Sequence, residues 1–548
     1  MRMGRWRWTL AALLILLVAP PIAWPSAGLF TRAAGWPSGS DLSRWANLAL
    51  TSLSLAGGVI ALSLPIGLLL AIALFKSDTP GRAAMRRILL LGLFVPLPIF
   101  AAAWQTLLSN VLGAMTTSPG RPWPSGLPAA IIIHSVAAVP WVVWIVGQGL
   151  RWVEPELEDD ALLAASPWTV FWRVTLPRCR LALGVAMVWI LVQTLTEITV
   201  TDMVLVRTFA EEVYTQIVLP EPVDAQLSAE SAVTRAAVAA IPPMLGLTVG
   251  LMLALRAIER RIPRVQTSAS ARPLIELGRW RWPVAAAVAV VVIGLTATPM
   301  GALIDRVGQA GAPPMWSLAA AADVMLLTLR AHGPLIVASL ALAAGIGVAA
   351  GILGILAAWL ARDSSRFRAL VFVLAAICWA APGPIIGLGL TQVIQSLLDA
   401  EEAVGGHWLH WALYAGPSPA PVFWAELVRL WPFALAIVWP AVHAVPQSLV
   451  DASRVDGARP REEFQLVILP AVWPELAAAA LAVAVLALGE LSASKIVATA
   501  GGETFAHAVF AQLHYGVTPT VAAQCLILLA FVFPIVWLPG PRWWRGNR

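Results

Sequence analysis

Runs of about 20 apolar residues, enough to cross a hydrocarbon core of roughly 30 Å at 1.5 Å rise per residue, alternate along the chain with short polar stretches. They predict membrane-spanning helices near residues 8 to 24, 48 to 74, 88 to 108, 129 to 150, 181 to 201 and 235 to 255. Six more are predicted near 282 to 300, 334 to 360, 369 to 396, 423 to 443, 475 to 498 and 521 to 539, for about 12 in all. The polar stretch that contrasts most with its surroundings is DASRVDGARPREEFQLVILP, residues 451 to 470, set between AVHAV and WPELAAAALAVAVLALG.

That stretch has a partner. EDDALLAASPWTVFWRVTLP, residues 158 to 177, aligns with it without a gap at an offset of 293, sharing Ala165/Ala458, Pro167/Pro460, Phe171/Phe464, Val174/Val467, Leu176/Leu469 and Pro177/Pro470. PLP at 96 to 98 repeats as PGP at 382 to 384, Glu197 repeats as Glu490, and TFAEEVYTQI from Thr208 repeats as TFAHAVFAQL from Thr504. The expected fold is therefore all-α and polytopic, two homologous six-helix halves. Because each half holds an even number of spans, both enter the membrane in the same direction, related by a pseudo-twofold axis along the membrane normal. A pathway between the halves is the natural consequence. The first repeat is assigned to residues 1–262 and the second to 282–548. Between them, 263–281 is a basic linker with a TSASA segment lacking apolar periodicity, read as a tether.

Composition agrees: 59% of residues are hydrophobic, 12% are charged, and the mean hydropathy is +0.79. The pI of about 9.9 could point to nucleic acid, but the location of the charge argues otherwise. With the amino terminus inside, 27 of the 36 lysines and arginines fall in the loops and termini on the cytoplasmic side, as the positive-inside rule requires, and both termini are cytoplasmic. The first span carries a RWRW start but no clear small-x-small cleavage site, and it is read as a retained helix. Cys179, Cys378 and Cys525 are too scattered for a disulfide framework or a thiolate metal cage.

Each of the paired polar stretches follows the fourth span of its half and reads as helix, break, helix. Gly457 permits the break, Pro460 suits the first turn of the next helix, and Pro470 ends that helix before the membrane. Phe464 and Val467 share one face, while Glu462 and Glu463 keep another wet. The product is a rigid protruding elbow. The lysines, Lys76 and Lys495, do not follow a glycine, so no phosphate-cradling G-x-x-x-x-G-K-[ST] loop is present. His407 and His410, near Glu401 and Glu402, could collect a metal but read as a solvated loop, and no metal ligands are assigned.

DASRVDGA followed by VILP resembles the EAA loop of the membrane subunits of binding-protein-dependent ABC importers. Asp451 stands for the Glu, Ala452 and Ser453 for the two alanines, and Gly457 matches. In the first copy Glu158 matches, Asp159 and Asp160 replace the alanines, Ala164 replaces the glycine, and Leu176 and Pro177 are kept. The organisation as two fused copies looks most like the fused ferric-iron permeases, with thiamine permeases as close relatives. The resemblance implies a multi-pass bacterial inner-membrane permease rather than an enzyme, with no cofactor of its own. It implies two ABC ATPase subunits that use ATP, and a periplasmic solute-binding protein. It also implies ATPase coupling through Glu158, Asp160, Ala164, Pro167, Leu176 and Pro177 in one elbow, and through Asp451, Ala452, Gly457, Pro460, Leu469 and Pro470 in the other. Ferric iron is the first solute to test, thiamine or another small solute the alternative. A twelve-span major-facilitator carrier competes: SDTPGRAAMRR shares an Asp-x-x-Gly-Arg core with that family's loop motif, although such a carrier needs no repeated elbows.

Four residues are candidates for the path or its gate. Glu197 and Glu490, symmetry-matched acids at membrane depth, are expected to line the path or to snorkel to the interface. Asp202 and Lys495, opposite charges at matched positions, are expected either to pair across the axis or to serve as separate interface charges.

Overall fold

The computed structural model describes residues 2–31, 41–95, 97–112, 126–151, 153–218, 244–257, 274–311, 315–513 and 517–537. In the first half the helices are α1 (Arg2–Thr31), α2 (Asp41–Ala71), α3 (Arg82–Phe94), α4 (Leu97–Leu112), α5 (Leu127–Arg151), α6 (Pro155–Leu162), α7 (Pro167–Val170), α8 (Leu176–Thr196), α9 (Thr199–Met203), α10 (Phe209–Val218) and α11 (Met244–Ala257). The second half begins with α12 (Arg281–Gly308), α13 (Leu318–Ala361), α14 (Ser365–Ala380), α15 (Gly383–Val404), α16 (Trp408–Leu413) and α17 (Ala420–Ala444). It continues with α18 (Gln447–Val455), α19 (Pro460–Glu463), α20 (Leu469–Ala487), α21 (Ser494–Val497), α22 (Phe505–Leu513) and α23 (Pro519–Trp537). The strands among the described residues are an antiparallel pair of two residues each, β1 (Gln309–Ala310) and β2 (Met315–Trp316).

Where the residues are described, every expected span coincides with helix, but not always with one unbroken helix. Among the described residues eight helices are long and apolar enough to cross a membrane, nine if the bent pair α14 and α15 counts as one span. That pair turns through 106° at Pro382 and Pro384, where ring nitrogens cannot donate to the preceding turn. The third span likewise divides, α3 ending at Phe94 and α4 starting at Leu97. The fifth and eleventh spans stop earlier than expected, at Thr196 and Ala487, so Asp202 and Lys495 lie on the short helices α9 and α21 beyond them. The expected span at 235 to 255 is described from Met244 onward, and the linker from Leu274 onward.

Each half is built on three packed helices: α2, α5 and α8 in the first, α13, α17 and α20 in the second. Small residues let backbones approach; a methyl group on Gly354 of α13 would sit 2.9 Å from the Leu435 backbone nitrogen of α17. The halves also hold each other through their first helices. Leu14 and Val18 of α1 are buried in the core of the second half, and α1 packs on α14 and α15, while α12 packs on α3 and α4 as well as on α13 and α23 of its own half. The Trp424 indole donates to the Leu17 carbonyl at 3.0 Å, closing the contact of α1 with the second half across 407 residues.

Candidate functional site

The elbows repeat down to their irregularities. Helix α7 and helix α19 both begin with proline in the first turn, and each runs into a single π-helical turn, Phe171–Thr175 in one half and Phe464–Ile468 in the other. There the Leu176 and Leu469 N–H groups reach back five residues to the Phe171 and Phe464 carbonyls. The wider turn accommodates Pro177 and Pro470, which lack an N–H and would clash with the carbonyl four residues earlier. The expectation that Pro470 ends the helix is thus corrected: the helix passes through it, and Pro460–Ala487 is one apolar stretch.

In the second elbow Gly457 has φ 85°, the left-handed value that turns the chain between α18 and α19. Ala164, its counterpart, turns without positive φ, its N–H bonded to the Ala161 carbonyl at 3.1 Å. Asp160, Ala164, Pro167 and Pro177 of the first elbow are exposed and Leu176 half-buried. In the second, Asp451, Ala452, Gly457 and Pro470 are exposed, while Pro460 and Leu469 are half-buried. Large apolar side chains are exposed around them, Leu163, Trp168 and Trp172 on one elbow and Leu449, Val455 and Leu466 on the other.

Glu158 is not on that surface. Its buried carboxylate takes the Lys76 ammonium at 2.6 Å on both oxygens and the Thr175 hydroxyl at 2.7 Å, tying α6 to the end of the second span. The linker closes over this tie: Leu274 and Ile275 donate to the Lys76 carbonyl at 2.9 and 3.0 Å, and Leu277 donates to the Asp78 carboxylate at 2.8 Å. Beyond tethering, this end of the linker is part of the first elbow's base.

The second elbow is tied down from the other side of its break. Asp451, the counterpart of Glu158, is exposed and accepts from Gln447 at 3.0 Å, while Glu463, expected to stay wet, is buried. Its carboxylate receives the Trp359 indole at 2.9 Å and the Arg454 guanidinium at 2.7 Å. Arg454 also reaches Asp363 at 2.6 Å, and the Glu463 hydrogen bond, ahead of the opposing desolvation, raises its pKa further above the ordinary value. Phe464 packs against Trp359, ring centroids 5.0 Å apart. At the Glu463 position the first half carries Val170, so one buried carboxylate serves each elbow from opposite sides of the break. Sequence reasoning missed Lys76, Thr175, Trp359, Arg454 and the anchoring role of Glu463. The alignment of Lys76 with Arg362 at offset 286, a cation kept at the end of the same span, was the available signal.

At the end of the molecule away from the elbows, the matched glutamates come together around one cavity of about 170 Å³ lined by both halves. Glu197 caps α9, accepting the Thr199 and Val200 N–H groups at 2.5 and 3.1 Å, with His134 Nε2 at 3.9 Å. Glu490 accepts the Ser492 hydroxyl at 2.7 Å and the Ala493 and Ser494 N–H groups, and pairs with Arg429 at 3.0 Å. The helix breaks after α8 and α20 thus turn each carboxylate into a cap whose flank faces the cavity.

Asp202 and Lys495 stand outside this wall, and no ion pair joins them among the described residues. Lys495 does meet the other half, but through Tyr214, whose hydroxyl lies 3.3 Å from its ammonium. It also rests over the Phe510 ring at 4.6 Å. Glu401, beside His407 and His410, accepts the Leu409 and His410 N–H groups at 2.6 and 2.8 Å. Groups of three or more potential metal ligands are not found among the described residues.

Two helical repeats, paired elbows and an interface cavity define a type I permease architecture. The profile of the binding-protein-dependent transport system inner membrane component matches residues 63–264 and again 350–538, and the chain belongs to that family, as two fused copies. Over 197 residues the chain is 25% identical to the putrescine transport system permease protein PotI of Escherichia coli K12, covering 35% of this chain and 66% of that protein. Over 202 residues it is 28% identical to the inner membrane ABC transporter permease protein YdcU of the same organism, covering 33% and 62%. The matched stretches fall just short of two thirds of those relatives' lengths.

Proposed function

We propose that the chain is the permease subunit of an ABC importer in the bacterial inner membrane, with the elbow end and both termini in the cytoplasm. A periplasmic binding protein delivers the solute to the opposite end. Two copies of a separate ATPase dock on the elbows, and their closure on ATP rocks the halves to alternate access. The observation that carries this reading is the pair of elbows, reproduced 293 residues apart with the same proline start and π turn and surrounded by exposed apolar side chains. A connecting loop needs none of these features. The buried ties beneath each elbow allow a push at its tip to reach the spans.

The solute in this reading is a small molecule other than bare ferric ion. Glu197 and Glu490 already accept backbone N–H groups, Arg429 occupies Glu490, and the relatives include a putrescine permease. Proteoliposomes holding the chain with its ATPase and binding protein test the proposal. Solute uptake is expected to require ATP and both partners. Uptake driven by a proton gradient without the ATPase would overturn it and favour a secondary carrier.

A further inference from the structure

Four aromatic rings meet where the halves meet. Trp189 of α8 lies 4.6 Å from Trp141 of α5, 5.2 Å from Phe433 of α17 and 6.0 Å from Trp379 of α14, and Trp379 lies 5.4 Å from Phe433. Two rings come from each half. All four line the 170 Å³ cavity, and all four also line a second cavity of about 580 Å³ on the elbow side. The rings are therefore a shared wall between two chambers stacked along the interface.

The chambers differ in chemistry. Beyond the rings the wall carries Gln193, Glu197, Arg429, Glu490 and Ser492. On the elbow side it is almost wholly apolar, with Gln148 and Glu475 as exceptions. Nε1 of Trp189 and Nε1 of Trp379, on the shared rings, and Oε1 of Gln193, in the polar chamber, are buried without a hydrogen-bond partner in the structure, as is Nε2 of Gln148 on the elbow side. Donors on the dividing wall and an acceptor in the polar chamber left in this state call for a ligand or water. A bare metal ion cannot accept from the indoles.

The ring positions are also placed to move. Trp141 and Phe433 each follow a proline inside a helix, Pro140 in α5 and Pro432 in α17. Each proline removes a helix hydrogen bond one residue before its ring, and prolines are among the identifiable causes of a sharp helix kink.

We propose that these four rings are the barrier of the translocation path, and that the polar chamber beyond them holds a small organic solute bearing both hydrogen-bond acceptors and donors. This rests on the importer reading. Bending at Pro140 and Pro432 parts the rings, and the solute then enters a chamber with few groups to retain it, which favours release toward the elbows.

The test uses the full chain reconstituted alone in liposomes, with erythritol-driven swelling as the measure of leak. Wild-type vesicles are expected to swell no faster than protein-free ones, while Trp189→Ala and Phe433→Ala each raise the rate several-fold and Trp189→Phe stays tight. Leu491→Ala, which alters the polar chamber on a segment that carries none of the rings, is also expected to stay tight. Tight vesicles from both Trp189→Ala and Phe433→Ala, when those variants still stimulate the partner ATPase, would overturn the barrier assignment. So would an equal leak from Leu491→Ala. For the solute class, Gln193→Leu removes the unpartnered Oε1 acceptor and is expected to weaken uptake of a donor-bearing organic solute by the complete transporter; unchanged uptake overturns the chamber as its site. Failure of wild type to take up any solute with ATP and both partners would sink the importer reading and leave the leak result standing.

Discussion

Lys76 and Glu158 make the sharpest residue-level case, because each is buried and each is the other's counter-charge. Removing one partner of a buried pair costs about 3–5 kcal/mol, since the survivor stays charged and unpaired, whereas replacing both can be nearly neutral. Lys76→Met is therefore expected to lower the thermal unfolding midpoint in detergent and to weaken ATPase stimulation. Adding Glu158→Gln should recover part of the stability. If the double variant is no more stable than Lys76→Met, the two groups are not coupled. At Gly457 the argument is conformational: φ 85° resists a β-branched side chain by about 1–3 kcal/mol, with open space around it. Gly457→Val should uncouple hydrolysis from uptake with insertion intact, and Ala164→Gly should be milder, both read as solute moved per ATP. The turn at Gly457 was legible from its place between two helical patterns. The burial of Glu158 was not, because its partner lies 82 residues away and only tertiary packing joins them.

At the scale of elements, the π turns hold the elbows in register with the spans. A π turn holds one more residue than an α turn, and one residue is about 100° of helix rotation. Pro470→Ala restores an N–H and removes the clash that the wide turn relieves. The variant is expected to be at least as stable in thermal unfolding yet to import less per ATP, because the elbow is re-aimed relative to α20; unchanged coupling would count against this role for the turn. Hydropathy located the spans because a bilayer demands apolar length. It could not locate the breaks at Glu197 and Glu490, where a carboxylate caps a new helix inside an apolar run, nor tell whether a proline ends a helix or is absorbed by it. Pro382 and Pro384 bend one span through 106°, while Pro470 interrupts nothing.

For the whole molecule, first helices that cross between the halves make the halves interdependent. Pieces 1–262 and 263–548 produced together but unconnected should copurify, because α1 is seated in the second half and α12 bridges the first half and its own. Separation in mild detergent would show that the peptide connection, and not the crossing helices, holds the halves together. The duplication was legible in the sequence as a constant offset. The crossing was not, because it places helices against elements hundreds of residues distant and leaves no local pattern.

That distance also has a duration. At about 5–20 residues per second of synthesis, the 407 residues separating Leu17 from Trp424 take roughly 20–80 s to emerge. For that interval α1 exists without the second-half helices that surround it in the finished fold, and lipid is the apolar medium that can cover the side chains they will bury. Its apolar length and its internally satisfied backbone make such a wait tolerable.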